Sequence, residues 1–179
     1  MYFYGFYDSP VGRLTVAGDE KHIVGLWLEQ QRFYMDVLQG QVAAEKETEV
    51  IRLAKNWIDR YFADKKPGIH ELPIKFIGSD FRVDVWQMLT EIPYGEIITY
   101  GELAKKIAGK RGIKAMSAQA VGGAVGHNPI SIIVPCHRVM GTNGNLTGYS
   151  GGAAAKLKLL EHEGVDTVHL YMPKRGTVL

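Results

Sequence analysis

A single cysteine, Cys136, stands in the 179-residue chain, and this more than any other feature narrows how the chain can hold itself together. No intramolecular disulfide can form, and no site built from several thiolates is possible, including every CxxC zinc or redox motif. The fold must come from burial of apolar side chains. Hydrophobic residues make up 46% of the chain and charged residues 22%, enough for a substantial core in one domain or two small ones. No run approaches the roughly 18 uninterrupted apolar residues of a membrane span, and MYFYGFYDSPVGRL lacks the basic and apolar regions of a secretory signal. The expectation is a folded protein in a reducing, cytoplasmic setting with no membrane association.

The formal net charge of +2 excludes a histone-like polycation. Residues 1–79 carry 10 basic and 11 acidic groups and residues 80–179 carry 11 and 8, giving −1 and +3. Lys105, Lys106, Lys110, Arg111 and Lys114 fall in one ten-residue window without an acid. Such a window is either a phosphate-facing patch or a solvated helix end favoured by the helix dipole.

The first half reads as strands followed by a helix. MYFYGFYDSP, VGRLTVAGDE and HIVGLWLEQ are β-prone runs divided by Ser9-Pro10 and Gly18-Asp19, which predicts a three-stranded meander. Val50, Leu53, Trp57 and Phe62, with Ile58 and Tyr61 alongside, predict one amphipathic helix from Glu49, stopped before Lys65-Lys66-Pro67-Gly68. His22 and His70 stand alone and read as structural or surface residues.

The second half is mainly helical. Ser79 is a candidate N-cap for a helix bearing Phe81, Val85, Met88, Leu89 and Ile92, ended by Pro93-Tyr94-Gly95. EIITY is β-prone, and YGELAKKIAGK predicts a helix with Leu103 and Ile107 inward and Gly109 as its stop. A basic turn then leads to SAQAVGGAVGHNP, closed by Asn128-Pro129 because a residue before proline disfavours the helical region. Helix, turn and short second helix follow the order of a helix-turn-helix. Gly122 and Gly123 together cost that second helix roughly 2 kcal/mol relative to alanine. Its smooth face fits either close packing inside the protein or close approach to a nucleic-acid backbone.

SIIVPCHR is an apolar run that meets Pro135 and then presents Cys136, His137 and Arg138, as a buried strand delivering reactive groups at its end would. Thiolate is the nucleophilic form of cysteine and is favoured by a neighbouring imidazole or guanidinium. Adjacent strand residues point to opposite faces, so a Cys136–His137 pair requires a turn or helix start at Pro135, or a bridging water. An orienting acid for His137 is sought in GGAAAKLKLLEHEG, a helix with Leu157 and Leu160 inward and Gly164 at its end. Glu161 and Glu163 are both available there. The turn-rich GTNGNLTGYSGG between these segments supplies hydroxyls and backbone amides for a pocket. Cys136 and His137 offer too few ligands at the wrong spacing for one tetrahedral metal ion, so no metal is expected there.

PCHRV, preceded by GHNPISIIV and followed by TGYSGG and LLEHEG, resembles the O6-alkylguanine-DNA alkyltransferases, also called methylated-DNA–protein-cysteine methyltransferases. The resemblance runs from about Phe81 to Gly164; residues 1–79 resemble the family's variable, RNase H-like N-terminal domain only in style. It implies an α+β protein: an N-terminal RNase H-like domain over 1–79, with a three-stranded antiparallel sheet and a helix, then a winged helix-turn-helix DNA-binding and catalytic domain over 80–165. Residues 166–179 are a C-terminal tail whose Lys174 and Arg175 read as solvated.

The implied activity is single-turnover DNA repair without a cofactor. Cys136 would take the alkyl group from O6 of a flipped-out guanine in double-stranded DNA, with O4-alkylthymine a second candidate substrate. His137 would act as base through water, Glu163 rather than Glu161 would orient it, Tyr100 would donate to the guanine, and Asn128 would hinge the second helix to the Cys136 segment. Val139, Tyr149, Ser150 and Lys156 would form the substrate pocket. Gln119, Ala120, Gly122, Gly123, Arg138 and Lys114 would face DNA, with the glycine helix in the minor groove and the protein acting as a monomer. Where the family commonly carries an arginine finger, this sequence has Gln119, so Lys114 or another side chain would have to fill the gap left by the flipped base. The family's zinc-binding variants need extra cysteines that this chain lacks. Two rivals compete with this reading. Lesion sensors of the same type lack the cysteine, and a cysteine hydrolase would need oxyanion machinery that the sequence does not display.

Overall fold

The computed structural model describes residues 1–172; the expectation for Lys174 and Arg175 lies outside them. The N-terminal meander forms as expected. β1 (Tyr2–Ser9) pairs antiparallel with β2 (Gly12–Gly18) around Pro10-Val11, and β2 pairs antiparallel with β3 (Ile23–Leu28). A fourth strand, β4 (Ala43–Glu45), adds to the free edge of β1 in parallel, so the sheet order is β3-β2-β1-β4. Its three residues carry little apolar signal, which is why the pattern of the sequence does not reveal it.

Helix α1 (Glu49–Phe62) starts on the Thr48 hydroxyl and lies across the sheet through Val50, Ile51, Ala54, Trp57, Ile58 and Tyr61. The buried stripe is rotated from the expected one: Leu53 is 44% exposed, and Ile51 and Ala54 take the inward places. Ser79 caps α2 (Asp80–Leu89) as predicted. After β5 (Ile98–Thr99), Thr99 and Glu102 form a reciprocal capping box that opens α3 (Tyr100–Lys110). Gly109 does not end this helix. Gly112, at φ 64°, follows the cap, with the Ile113 amide bonded to the Ala108 carbonyl and the Gly112 amide to that of Gly109. Helix α4 (Ala118–Gly126), capped by Ser117, completes the helix-turn-helix, and the Trp86 indole N–H ties it to α2 at the Ala124 carbonyl, 2.8 Å away.

Lys110 and Arg111 of the basic window both reach Asp84 on α2, at 3.2 and 2.6 Å. The patch open to a partner is therefore narrower than the sequence suggests: Lys105, Lys106 and Lys114. β6 (Val139–Met140) pairs parallel with β5, and α5 (Ala153–His162) closes the fold with Lys156, Leu159 and Leu160 buried. Leu157 is only half-buried, and the inward place expected for it goes to a lysine.

One hydrophobic core spans both sequence regions. It joins Leu14, Val16 and Leu26 of the sheet to Ile51 and Ile58 of α1, Val85 and Leu89 of α2, and Val134 and Leu159 beyond. The outer edge of β3 makes the junction: Leu26 donates its amide to the Pro129 carbonyl and accepts the Ser131 amide, both at 2.8 Å.

Candidate active site

The expected strand over SIIV is a buried reversal instead. The Ile133 amide bonds to the Ser131 carbonyl across Ile132, which sits at φ 69°, and the Val134 amide bonds to the Ile130 carbonyl. A β-branched residue in the left-handed region is strained and persists only where its surroundings fix it. Here the surroundings are the sheet, with the Ser131 hydroxyl donating to the Gln31 side chain at 2.9 Å. The run is apolar because the turn is enclosed, and apolarity alone does not separate such a turn from a strand.

The Cys136 amide then bonds to the Val134 carbonyl, and Cys136–Arg138 form one 3-10 turn behind Pro135 before β6 begins. This is the break at Pro135 that a Cys136–His137 pair requires. Asn128, the residue after the α4 cap, locks the reversal from inside. Its side-chain amide donates to the Val134 carbonyl at 2.9 Å and to the Cys136 sulfur at 3.0 Å, and its oxygen accepts the Ile130 amide at 3.1 Å.

Between the two glutamates the geometry chooses Glu163: it is buried, and Glu161 is exposed. Glu163 caps α5, and Gly164 at φ 76° turns the chain immediately after it. An anion at a helix C-terminus faces the negative end of the dipole, so it needs compensation. Five hydrogen bonds supply it: His137 Nε2 at 2.6 Å, Arg138 Nε at 2.8 Å and Nη2 at 3.0 Å, the Tyr61 hydroxyl at 2.7 Å and the Gly95 amide at 3.2 Å.

Burial pushes the Glu163 carboxyl up, but His137 and Arg138 outweigh it and hold the group well below the usual carboxylate range. Burial pulls the His137 imidazole below its ordinary value, with Glu163 opposing. The Arg138 guanidinium already cancels the carboxylate charge, so the consistent state is an ionised glutamate and a neutral histidine. Neutral His137 must then donate from Nε2, because a carboxylate only accepts. Its Nδ1 carries the lone pair, and this buried atom has no hydrogen-bond partner among the described residues.

Burial pushes the Cys136 thiol up, with Asn128 and Lys156 pulling the other way, so the resting sulfur is protonated. The fully buried Lys156 ammonium donates to the Val139 and Thr147 carbonyls, and burial lowers its pKa to about 8. Tyr100, at the start of α3, donates to the Thr147 carbonyl at 3.2 Å; burial raises its pKa, as it does that of Tyr149. Among the described residues the Tyr149 hydroxyl and the Ser150 Oγ are likewise buried without a hydrogen-bond partner. Gly148, at φ 82°, allows the loop to cross Tyr100, since a Cβ there would come within 2.3 Å of the tyrosine oxygen.

Cys136, His137, Glu163, Asn128, Tyr100, Val139, Tyr149, Ser150 and Lys156 thus belong to one enclosed region. Lys114, Gln119, Ala120 and Gly123 are exposed along the turn and α4, and Gly122 is half-buried. A Cβ on Gly123 would meet nothing within 4 Å, and one on Gly122 only the Tyr100 ring at 3.7 Å. Packing inside the protein therefore does not account for the paired glycines. Arg138 departs from expectation: its guanidinium is turned inward to Glu163 and to the Ile92 carbonyl and is not part of the exposed face. The sequence marks Tyr61 only as an apolar position of α1 and not as part of the site, although a tyrosine on the inward stripe must find a partner for its hydroxyl.

Residues 80–165 match the family model described as 6-O-methylguanine DNA methyltransferase, DNA binding domain, and residues 2–76 match its ribonuclease-like domain. A methylated-DNA–protein-cysteine methyltransferase of Haemophilus influenzae is 39% identical over 166 residues, covering 93% of this chain and 88% of that protein. One from Methanosarcina acetivorans is 39% identical over 162 residues, covering 90% and 98%. The Mycobacterium tuberculosis OGT solved in complex with DNA is 37% identical, with a TM-score of 0.76 over 94% of each chain.

Proposed function

Because the chain belongs to the methylated-DNA–protein-cysteine methyltransferase family, we propose that Cys136 is its alkyl acceptor, with His137 as the base and Glu163 as the base's anchor. The protein repairs DNA by direct reversal, moving the alkyl group from O6 of guanine to its own cysteine. With one cysteine in the sequence, Cys136 alone can receive it.

The observation that carries the mechanism is the 2.6 Å contact between His137 Nε2 and Glu163, which leaves the buried Nδ1 unpartnered among the described residues, one residue along from the Cys136 thiol. A water between Sγ and Nδ1 relays the thiol proton to the imidazole, and the Glu163 carboxylate stabilises the imidazolium. Sγ attacks the alkyl carbon and the carbon–O6 bond breaks, its electron pair staying with the guanine. The guanine takes one proton from the hydroxyl of Tyr100 and leaves neutral; Tyr100 is reprotonated from solvent, to which the imidazolium gives up the thiol proton. Alkylguanine and thiol become guanine and thioether. The thioether offers no good leaving group and the chain has no second thiol, so each molecule acts once.

Cys136 is only 3% exposed, so a base within a stacked duplex cannot reach it. The target nucleotide is flipped into the pocket of Val139, Tyr149, Ser150 and Lys156. Gly122 and Gly123 let α4 seat in the minor groove, with Lys114, Gln119 and Ala120 beside the backbone and the gap in the duplex. A monomer meets these requirements.

Incubation with a duplex containing O6-methylguanine, followed by intact and peptide mass analysis, tests the reading. One methyl on the Cys136 peptide, with no turnover beyond one equivalent, is expected. Unmodified protein that still binds the duplex, or methyl on another residue, would overturn it.

A further inference from the structure

We propose that Tyr61, on α1 of the N-terminal region, is a positioning residue for alkyl transfer: its hydroxyl holds the Glu163 carboxylate on which His137 hangs. This rests on the reading of His137 as the base. Tyr61 lies 102 residues from Glu163 in sequence, yet its hydroxyl donates to Oε1 at 2.7 Å, the same oxygen that accepts His137 Nε2 at 2.6 Å. The backbone of Tyr61 is tied to the same helix end, its carbonyl meeting His162 Nε2 at 2.8 Å. Its ring stacks on Trp57 with centroids 5.5 Å apart and meets Phe62, Tyr94 and His162 at steeper angles.

Phenylalanine would fill that space equally well. The hydroxyl adds one thing that packing does not need, a hydrogen bond to a buried anion, and such bonds are roughly twice as strong as neutral ones. As a proton moves onto His137, its ring must stay aligned with the carboxylate. Tyr61 limits the swing of Oε1 and, by withdrawing charge from it, makes the carboxylate a weaker attractor of the imidazole proton.

The other groups facing the pair are Arg138 beside it, Cys136 and Lys156 on the pocket side, Tyr149 from the loop before α5, Tyr94 and the Gly95 amide after α2, and His162 on α5. Asp64 lies behind Tyr94. Arg138 Nη2 also donates to Oε1, at 3.0 Å, so the Tyr61 hydroxyl is the shorter, uncharged donor to that oxygen and approaches it from α1. With that hydroxyl removed, Glu163 pulls harder on the imidazole proton, His137 binds it at higher pH, and the acid limb of the rate profile moves upward.

Single-turnover methyl transfer by Tyr61→Phe, measured over a range of pH well below its melting temperature, is expected to be about tenfold slower. Its acid limb should be displaced to higher pH, and the ring nitrogens of His137 should titrate correspondingly later by nitrogen-15 NMR. An unchanged rate, or a slower rate with the limb and titration unmoved, overturns the proposal. His137→Phe separates the two layers: if it is slow while Tyr61→Phe is normal, only the role of Tyr61 falls. If His137→Phe keeps full rate, the base reading falls and the role of Tyr61 with it. Should Tyr61→Phe not fold, 3-fluorotyrosine at the same position strengthens the donor and must displace the limb downward; no displacement overturns the proposal.

Discussion

The side-chain amide of Asn128 lies 3.0 Å from the sulfur of Cys136 and 2.9 Å from the carbonyl of Val134, so one residue at the end of α4 supports both the acceptor and the turn that presents it. Asn128→Ala leaves the Ile130 amide without a partner in a buried site and the Val134 carbonyl with the Cys136 amide alone. The expected cost is about 1–3 kcal/mol, the penalty for one orphaned buried group. Alkyl transfer also slows, since the thiolate loses a donor. Denaturant unfolding and single-turnover rates measure the two effects separately, and a variant with unchanged stability would contradict the locking role.

Acid sensitivity follows from the His137–Glu163 pair. The folded imidazole sits below its ordinary 6.5 because it is buried, so the unfolded chain takes the proton first, and stability declines as pH falls through 6.5. Burial opposes but His137 and Arg138 impose the lowering of the Glu163 carboxyl below its ordinary 4.5; its contribution is complete above that pH and lost as the pH falls further. Melting temperature should therefore drop in two stages on acidification. His137→Gln should flatten the stage between 6.5 and 4.5. A melt series with the wild-type slope in that variant would reject the assignment.

Gly123→Ala separates folding from DNA binding. Alanine meets nothing within 4 Å in the free protein and favours the helix by about 1 kcal/mol, so the variant should melt higher. If α4 seats against a duplex, the same methyl should weaken binding. Calorimetry and a duplex titration check both; a more stable variant with undiminished affinity would argue against close approach at this position.

Gln119 is exposed near the start of α4, so Gln119→Arg should leave the fold unchanged. A longer, charged side chain should better fill the space vacated by a flipped base and speed alkyl transfer on duplex DNA. The rate on a single strand should change little, because no stack needs holding open there. An equal or lower rate on duplex would reject this role.

What could be read from the sequence was what depends on near neighbours. Ser79 announces a helix start through local capping, and Pro135-Cys136-His137 announces a break that presents a thiol beside an imidazole. Arg138 shows the limit of such reading. The resemblance implies that it faces DNA, yet its charge is paired with a carboxylate 25 residues away. Lys156 occupies an inward position only because the Val139 and Thr147 carbonyls converge on it, and carbonyl directions are not written in side-chain type. The SIIV run misled for a related reason: its apolarity records enclosure by β3, and the strand that encloses it lies a hundred residues upstream.

The shared core that crosses residue 79 has a consequence for how the chain tolerates change. The two regions are one packed unit in this chain, because Leu26 and Gln31 brace the turn behind Cys136 and Tyr61 reaches the carboxylate that holds His137. Substitutions in the first half should thus be felt at the chemistry of the second. A graft of a foreign sheet would succeed only if it brought a matching edge strand and a donor at the place of Tyr61.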